Sequence, residues 1–130
     1  MKVMALDYGS ARTGVAVSDP TGTLARPLGV VERASTESGL AELVRLVREE
    51  DAERVVVGLP LTLRGTRGEQ AAETERFVEA LRGVVDAPVE LYDERFTTDL
   101  AQQTAGSAPE DALAAAHLLS TYLEWCAARS

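Results

Sequence analysis

Apolar residues recur along this chain with two different periods. Val3, Ala5 and Asp7 share one face of an extended segment over residues 2–8, and that face is apolar until its last position, which is acidic. Residues 13–18 form a second strand, and Asp19-Pro20-Thr21-Gly22 has the composition of a reverse turn leading to a third at about 23–32. Pro27 removes a ladder donor from that third strand and places it at a sheet edge. Leu40, Leu43, Val44 and Val47 then recur at helical spacing, so residues 36–50 form an amphipathic helix with Arg45, Arg48, Glu49 and Glu50 in water. Arg54-Val55-Val56-Val57-Gly58-Leu59 is near-continuously apolar, as a central parallel strand requires.

A second helix has Thr66 and Glu69 at capping-box spacing and buries Phe77, Val78 and Leu81 before Gly83 ends it. Val89 to Asp93 is a fifth strand. Thr97 or Thr98 caps a short helix through about Gln103, broken by Gly106, and a last helix runs from near Pro109 to about Ala127. This order describes an α/β fold: a five-stranded mixed sheet with helices on both faces.

With 130 residues, 45% of them hydrophobic, the chain has the mass of one domain spanning residues 1–130. No apolar run reaches membrane-spanning length and no signal-peptide pattern precedes the first strand, so no membrane partner is expected. One cysteine, Cys126, excludes an internal disulfide and a cysteine metal cluster and fits a cytoplasmic location. The net charge of -8 counts against a broad electrostatic grip on nucleic acid, and is equally the charge of a generic acidic surface. Twelve of the thirteen cations are arginine, however, and Arg12, Arg64, Arg67 and Arg95 lie in or beside loops, where a local patch can hold phosphates.

The candidate chemistry starts at Asp7, a carboxylate where the first strand runs out, which needs a cation, a hydrogen-bond donor or a proton. Gly9 and Gly14 allow a sharp turn and the close approach of another molecule, and Arg12 between them offers a planar fork suited to phosphate. The pattern Asp7-x-Gly9-x-x-Arg12-x-Gly14-x-Ala16-x-Ser18-Asp19 resembles the opening motif of the YqgF (RuvX) family, in the RuvC-like branch of the ribonuclease H superfamily. Actin-like ATPases use a similar turn to hold phosphate, so the later motifs carry the distinction. Val57-Gly58-Leu59-Pro60-Leu61, followed by Gly65 and Gln70, resembles the family's Gly-x-Pro loop. There the backbone amides, Arg64, Arg67 and Gln70 would meet a phosphate strand, although a strand end needs glycine and proline for geometry alone. Tyr92-Asp93-Glu94-Arg95-Phe96-Thr97-Thr98 matches the Asp-Glu-Arg-x-Thr-Thr signature at the C-terminal end of a strand, where open sheets place ligands. From spacing alone Glu94 and Arg95 are equally a solvated pair and Thr98 a cap. The resemblance implies Glu94 as a metal ligand, with Asp93 in support and Arg95, Thr97 and Thr98 toward substrate.

Asp111-Ala112-Leu113-Ala114-Ala115-Ala116-His117-Leu118-Leu119 resembles the family's last motif, a helix opening on aspartate. Steps of three and four from Asp111 reach Ala114, Ala115, Leu118 and Tyr122, so Asp111 heads the apolar stripe, and Ala114 and Ala115 let the helix press on the sheet and bring Asp111 toward Asp7. A first-turn acid favoured by the helix dipole is the plainer alternative. Asp7, Glu94 and Asp111 form an oxygen-only set of catalytic and metal-ligating candidates suited to Mg²⁺ or Mn²⁺. Two such ions roughly 4 Å apart can activate water and stabilise a leaving 3′ oxygen. His117 lies off that face, either structural or assisting product release. Tyr122, Trp125 and Cys126 are core or flank residues, and Tyr8 is expected to pack in preference to stacking on a base.

The family pattern is missing between Thr98 and Asp111, where relatives carry a longer helix and a basic loop but Asp99 to Glu110 holds no basic residue. That loss should weaken affinity for nucleic acid and leaves open whether the chain is a monomer or homodimer. The resemblance implies a ribonuclease H-like fold and a metal-dependent endonuclease maturing the 5′ end of pre-16S ribosomal RNA. A Holliday-junction resolvase-like nuclease acting on branched DNA, action on single-stranded DNA, a non-catalytic nucleic-acid-binding module and an ATPase-like domain are the competing readings.

Overall fold

The computed structural model of the chain describes residues 1–9, 11–59, 69–93 and 110–129. Its elements are β1 (Val3–Asp7), β2 (Arg12–Ser18), β3 (Ala25–Glu32), α1 (Glu37–Glu49), β4 (Arg54–Leu59), α2 (Glu69–Arg82), β5 (Val89–Asp93) and α3 (Glu110–Arg129). The strands form one sheet in the order β3-β2-β1-β4-β5. β1, β2 and β3 pair antiparallel, whereas β4 and β5 continue parallel to β1. This is the mixed sheet of the ribonuclease H-like fold expected from the sequence. The short helix expected near residues 97–103, and the cap at Thr66, lie outside the described residues.

Each element follows from its local chemistry. In β4, Val55, Val56 and Val57 are all fully buried because helices cover both faces of the sheet. β3 is the edge strand that Pro27 required, and its register slips between Val15–Gly29 and Ala16–Pro27, leaving Leu28 as the extra residue of a bulge. The strand begins at Ala25, two residues later than expected, because the preceding loop has its own bonding. Asp19 Oδ1 accepts from the amides of Thr23 and Leu24 at 2.8 and 2.9 Å, and the Asp19 amide donates to the Leu24 carbonyl at 3.0 Å. Thr36, in an extended conformation, caps α1 by accepting from the Gly39 amide at 3.2 Å.

The two faces of the sheet bury different residues. Met4, Leu6, Tyr8, Val15, Val55 and Val57 pack against Leu43 and Val47 of α1 and Phe77, Val78 and Leu81 of α2. On the other face Val3, Ala5, Ala16 and Val56 meet Ala115, Leu118, Leu119, Tyr122 and Leu123 of α3. The C-terminal half of α3 is tied to the sheet through Tyr122, whose hydroxyl accepts from Arg54 Nη1 at 2.9 Å and donates to the Glu90 carboxylate. Burial, and then the hydrogen bond to Glu90, push the Tyr122 hydroxyl above its ordinary pKa. Among the described residues, no helix is long and apolar enough to cross a membrane.

Candidate active site

Asp7 ends β1 beside the other parallel strand ends, the edge where open α/β sheets bind ligands. It alternates with Val3 and Ala5, which pack under α3, so Asp7 belongs to the α3 face. Its antiparallel partner is Gly14 of β2. A Cβ built on Gly14 would lie 1.8 Å from the Asp111 carbonyl oxygen and 3.1 Å from the Ala112 nitrogen. Backbone meets backbone there, so the first turn of α3 sits directly on β2 only because residue 14 has no side chain. Cross-strand neighbours stand about 4.5–5.5 Å apart. Register and this close approach together bring the backbones of Asp7 and Asp111 to one place on the sheet rim.

Arg12 completes the described part of the site. Its Nε lies 3.4 Å from Asp111 Oδ2, with the Arg12 side chain 66% exposed and that of Asp111 36% exposed. An ion pair that exposed is worth about 0.2–1 kcal/mol. The backbone beneath it is fixed more firmly. A Cβ on Gly9 would come within 2.5 Å of the Arg12 carbonyl oxygen, the Arg33 amide donates to the Ala11 carbonyl at 3.0 Å, and Arg12 pairs with Glu32 across β2 and β3. The Gly9 amide donates to Thr13 Oγ1 at 3.4 Å, and Thr13 itself is fully buried.

Several sequence expectations change here. Gly14 admits the chain's own α3 where the approach of another molecule was expected. The buried stripe of α3 runs through Ala112, Ala115, Leu118, Leu119 and Tyr122, so Asp111 borders it instead of heading it, and Ala112 takes the place against the sheet that Ala114 was expected to share with Ala115. Tyr8 is packed, as expected, stacked on Phe77 with ring centroids 4.3 Å apart. Trp125 is a flank residue, 45% exposed, with its ring 6.0 Å from those of Tyr92 and Tyr122. His117 stands six residues beyond Asp111, about 9 Å along the helix axis.

Glu94, Arg64, Arg67, Arg95, Thr97 and Thr98 lie outside the described residues, as do the side chains of Gln70 and Asp93. The Arg12–Asp111 pair had no signal in spacing, since the two residues are joined only by the packing of α3 on β2. Among the described residues no three of histidine, cysteine, aspartate and glutamate are grouped to hold an ion. The two acids whose backbones this packing brings near one another, Asp7 and Asp111, would offer carboxylate oxygens, donors that fit Mg²⁺ or Mn²⁺ in preference to Zn²⁺.

Comparison with known proteins agrees with this fold. A protein from Chloroflexus aggregans named "Putative pre-16S rRNA nuclease" is 43% identical over 131 residues, covering 94% of this chain and 92% of its own length. A protein of the same name from Chloroflexus aurantiacus is 42% identical, over 94% of this chain and 86% of the relative. Among solved structures, T. thermophilus RuvC in complex with Holliday junction substrate superimposes with a TM-score of 0.61 at 19% identity, over 98% of this chain and 96% of that one, a likeness of fold. The family model described as RuvX, Holliday junction resolvase, matches residues 1–125, and the chain therefore belongs to the RuvX family.

Proposed function

We propose that this chain is a divalent-metal-dependent endonuclease that hydrolyses phosphodiester bonds in RNA, acting in 5′-end maturation of pre-16S ribosomal RNA. The observation that carries the reading is the approach of the Asp7 and Asp111 backbones across Gly14 at the C-terminal rim of β1. Relatives named for that activity, 42–43% identical over 94% of the chain, support the choice of substrate. In this reading Asp7, Asp111 and Glu94 hold Mg²⁺ or Mn²⁺. The chemistry such an ion supplies is activation of water and neutralisation of charge on the departing 3′ oxygen.

The remaining roles belong to the chain. Arg12, on the exposed rim beside Asp111, would donate to a non-bridging phosphate oxygen. Arg64, Arg67, Gln70, Arg95, Thr97 and Thr98 are assigned to the backbone of the substrate strand, where contacts position without reading sequence. The net charge of -8 makes those few arginines the main source of phosphate affinity, so binding should weaken as salt rises. The family description favours a second reading, resolution of branched DNA.

Cleavage of labelled RNA, single-stranded DNA and a four-way junction with Mn²⁺ tests both, comparing the parent protein with Asp7→Asn. The variant should stay folded and lose more than the roughly 10–100-fold typical of removing a supporting partner of a metal ligand. RNA should be the preferred substrate. Equal cleavage by both proteins would remove Asp7 from the mechanism, and preference for the junction would favour resolution.

A further inference from the structure

Arg12 is held to Asp111 by a weak contact on a fixed backbone. Arg12 Nε lies 3.4 Å from Asp111 Oδ2, and two-thirds of the Arg12 side chain is in solvent. Its main chain is clamped by Gly9 on one side and by the pairing with Glu32 on the other, so the side chain can move without disturbing β2. Asp111 is fixed differently, since its carbonyl rests on Gly14 and its carboxylate faces outward from the first turn of α3.

We propose that Arg12 is an exchangeable internal counterion. It rests on Asp111 while the acid pair is empty of metal, and it is released toward substrate phosphate when a divalent cation takes the Asp111 carboxylate. The proposal rests on the metal-dependent reading and deepens it, because it assigns Arg12 a second position. The physical argument is a competition for one carboxylate. A guanidinium in an exposed ion pair contributes one delocalised charge, whereas a divalent ion contributes two charges and binds the oxygens directly. The dication therefore wins Asp111. Displaced, the guanidinium keeps its charge at the same rim, where substrate phosphate can accept its hydrogen bonds.

Two consequences follow from linkage. Arg12 weakens metal binding in the free protein, because it must be displaced. Metal binding and nucleic-acid binding also strengthen one another through Arg12, by the same factor in each direction.

The test is a calorimetric titration of Mn²⁺ into the parent protein, Arg12→Gln and Asp7→Asn, without nucleic acid. Arg12→Gln should bind Mn²⁺ about 1.4- to fivefold more tightly than the parent, the range that loss of an exposed ion pair implies. Asp7→Asn should bind more weakly. A second measurement follows a fluorescent single-stranded RNA binding in Ca²⁺ and in chelator. Ca²⁺ should strengthen binding more for the parent than for Arg12→Gln. Equal or weaker Mn²⁺ affinity in Arg12→Gln, or an equal Ca²⁺ effect in both proteins, would overturn the exchange alone. Mn²⁺ binding unaffected by Asp7→Asn would overturn the metal centre itself, and the exchange with it.

Discussion

The two faces of the sheet bury apolar residues of different size and use them differently. Under α1 and α2 the contacts are Met4, Leu6, Leu43, Phe77 and Leu81, large side chains that hold the helices off the strands and fill the space between them. Under the first half of α3 they are Ala5, Ala16, Ala112 and Ala115, with Gly14 bare against the Asp111 carbonyl. The first arrangement maximises buried area. The second gives up area for proximity, and proximity is what delivers a carboxylate to the rim beside Asp7.

The contrast can be broken from either side. Phe77→Ala removes a fully packed ring from the first face and should cost about 3–5 kcal/mol of stability by denaturant unfolding. The fraction that stays folded should still cleave, because the acid pair lies on the other face. Gly14→Ala adds a single methyl group yet should cost about 1–3 kcal/mol, since the atoms it meets are helix backbone that cannot rotate away. In that variant the folded protein should lose cleavage along with Mn²⁺ affinity, as α3 lifts from β2. If Gly14→Ala cleaved normally, close packing on this face would have no bearing on the site.

The smallest effect is expected far from both faces, at the loop before β3. Asp19 is held well below the usual carboxylate range, first by the Thr21 hydroxyl and then by the amides of Leu24 and Thr23. A depressed carboxylate stabilises the fold fully above its unfolded pKa of about 4, and that contribution is lost as pH falls from there through the lowered folded value. The advantage of the parent protein over Asp19→Asn in thermal melts should therefore be constant near neutrality and shrink below about pH 4. Because Asp19 is in solvent, the difference should be modest.

Most of the architecture was legible in the chain because each element announces its period and its ends. Val55-Val56-Val57 requires burial on two faces, Pro27 requires an edge, and Leu43 and Val47 lie on the side of α1 that helical spacing assigns to the core. The phase of α3 was not legible. Ala112-Leu113-Ala114-Ala115-Ala116 offers no polar residue to mark the wet side, so a stripe counted from Asp111 and one counted from Ala112 look alike until the helix meets Gly14. The candidate acids at Asp7 and Asp111 could be read from strand end and motif. The pairing of Arg12 with Asp111 could not, because it depends on which turn of a distant helix lands on β2.

The close seat of α3 on β2 also orders events during synthesis. Asp7 leaves the ribosome with β1, but Asp111 belongs to α3, and no N-terminal fragment that stops before α3 holds both, however well its strands have paired. A nascent chain still short of α3 therefore lacks one of the two acids, and any cleavage that requires both must wait until α3 has been made.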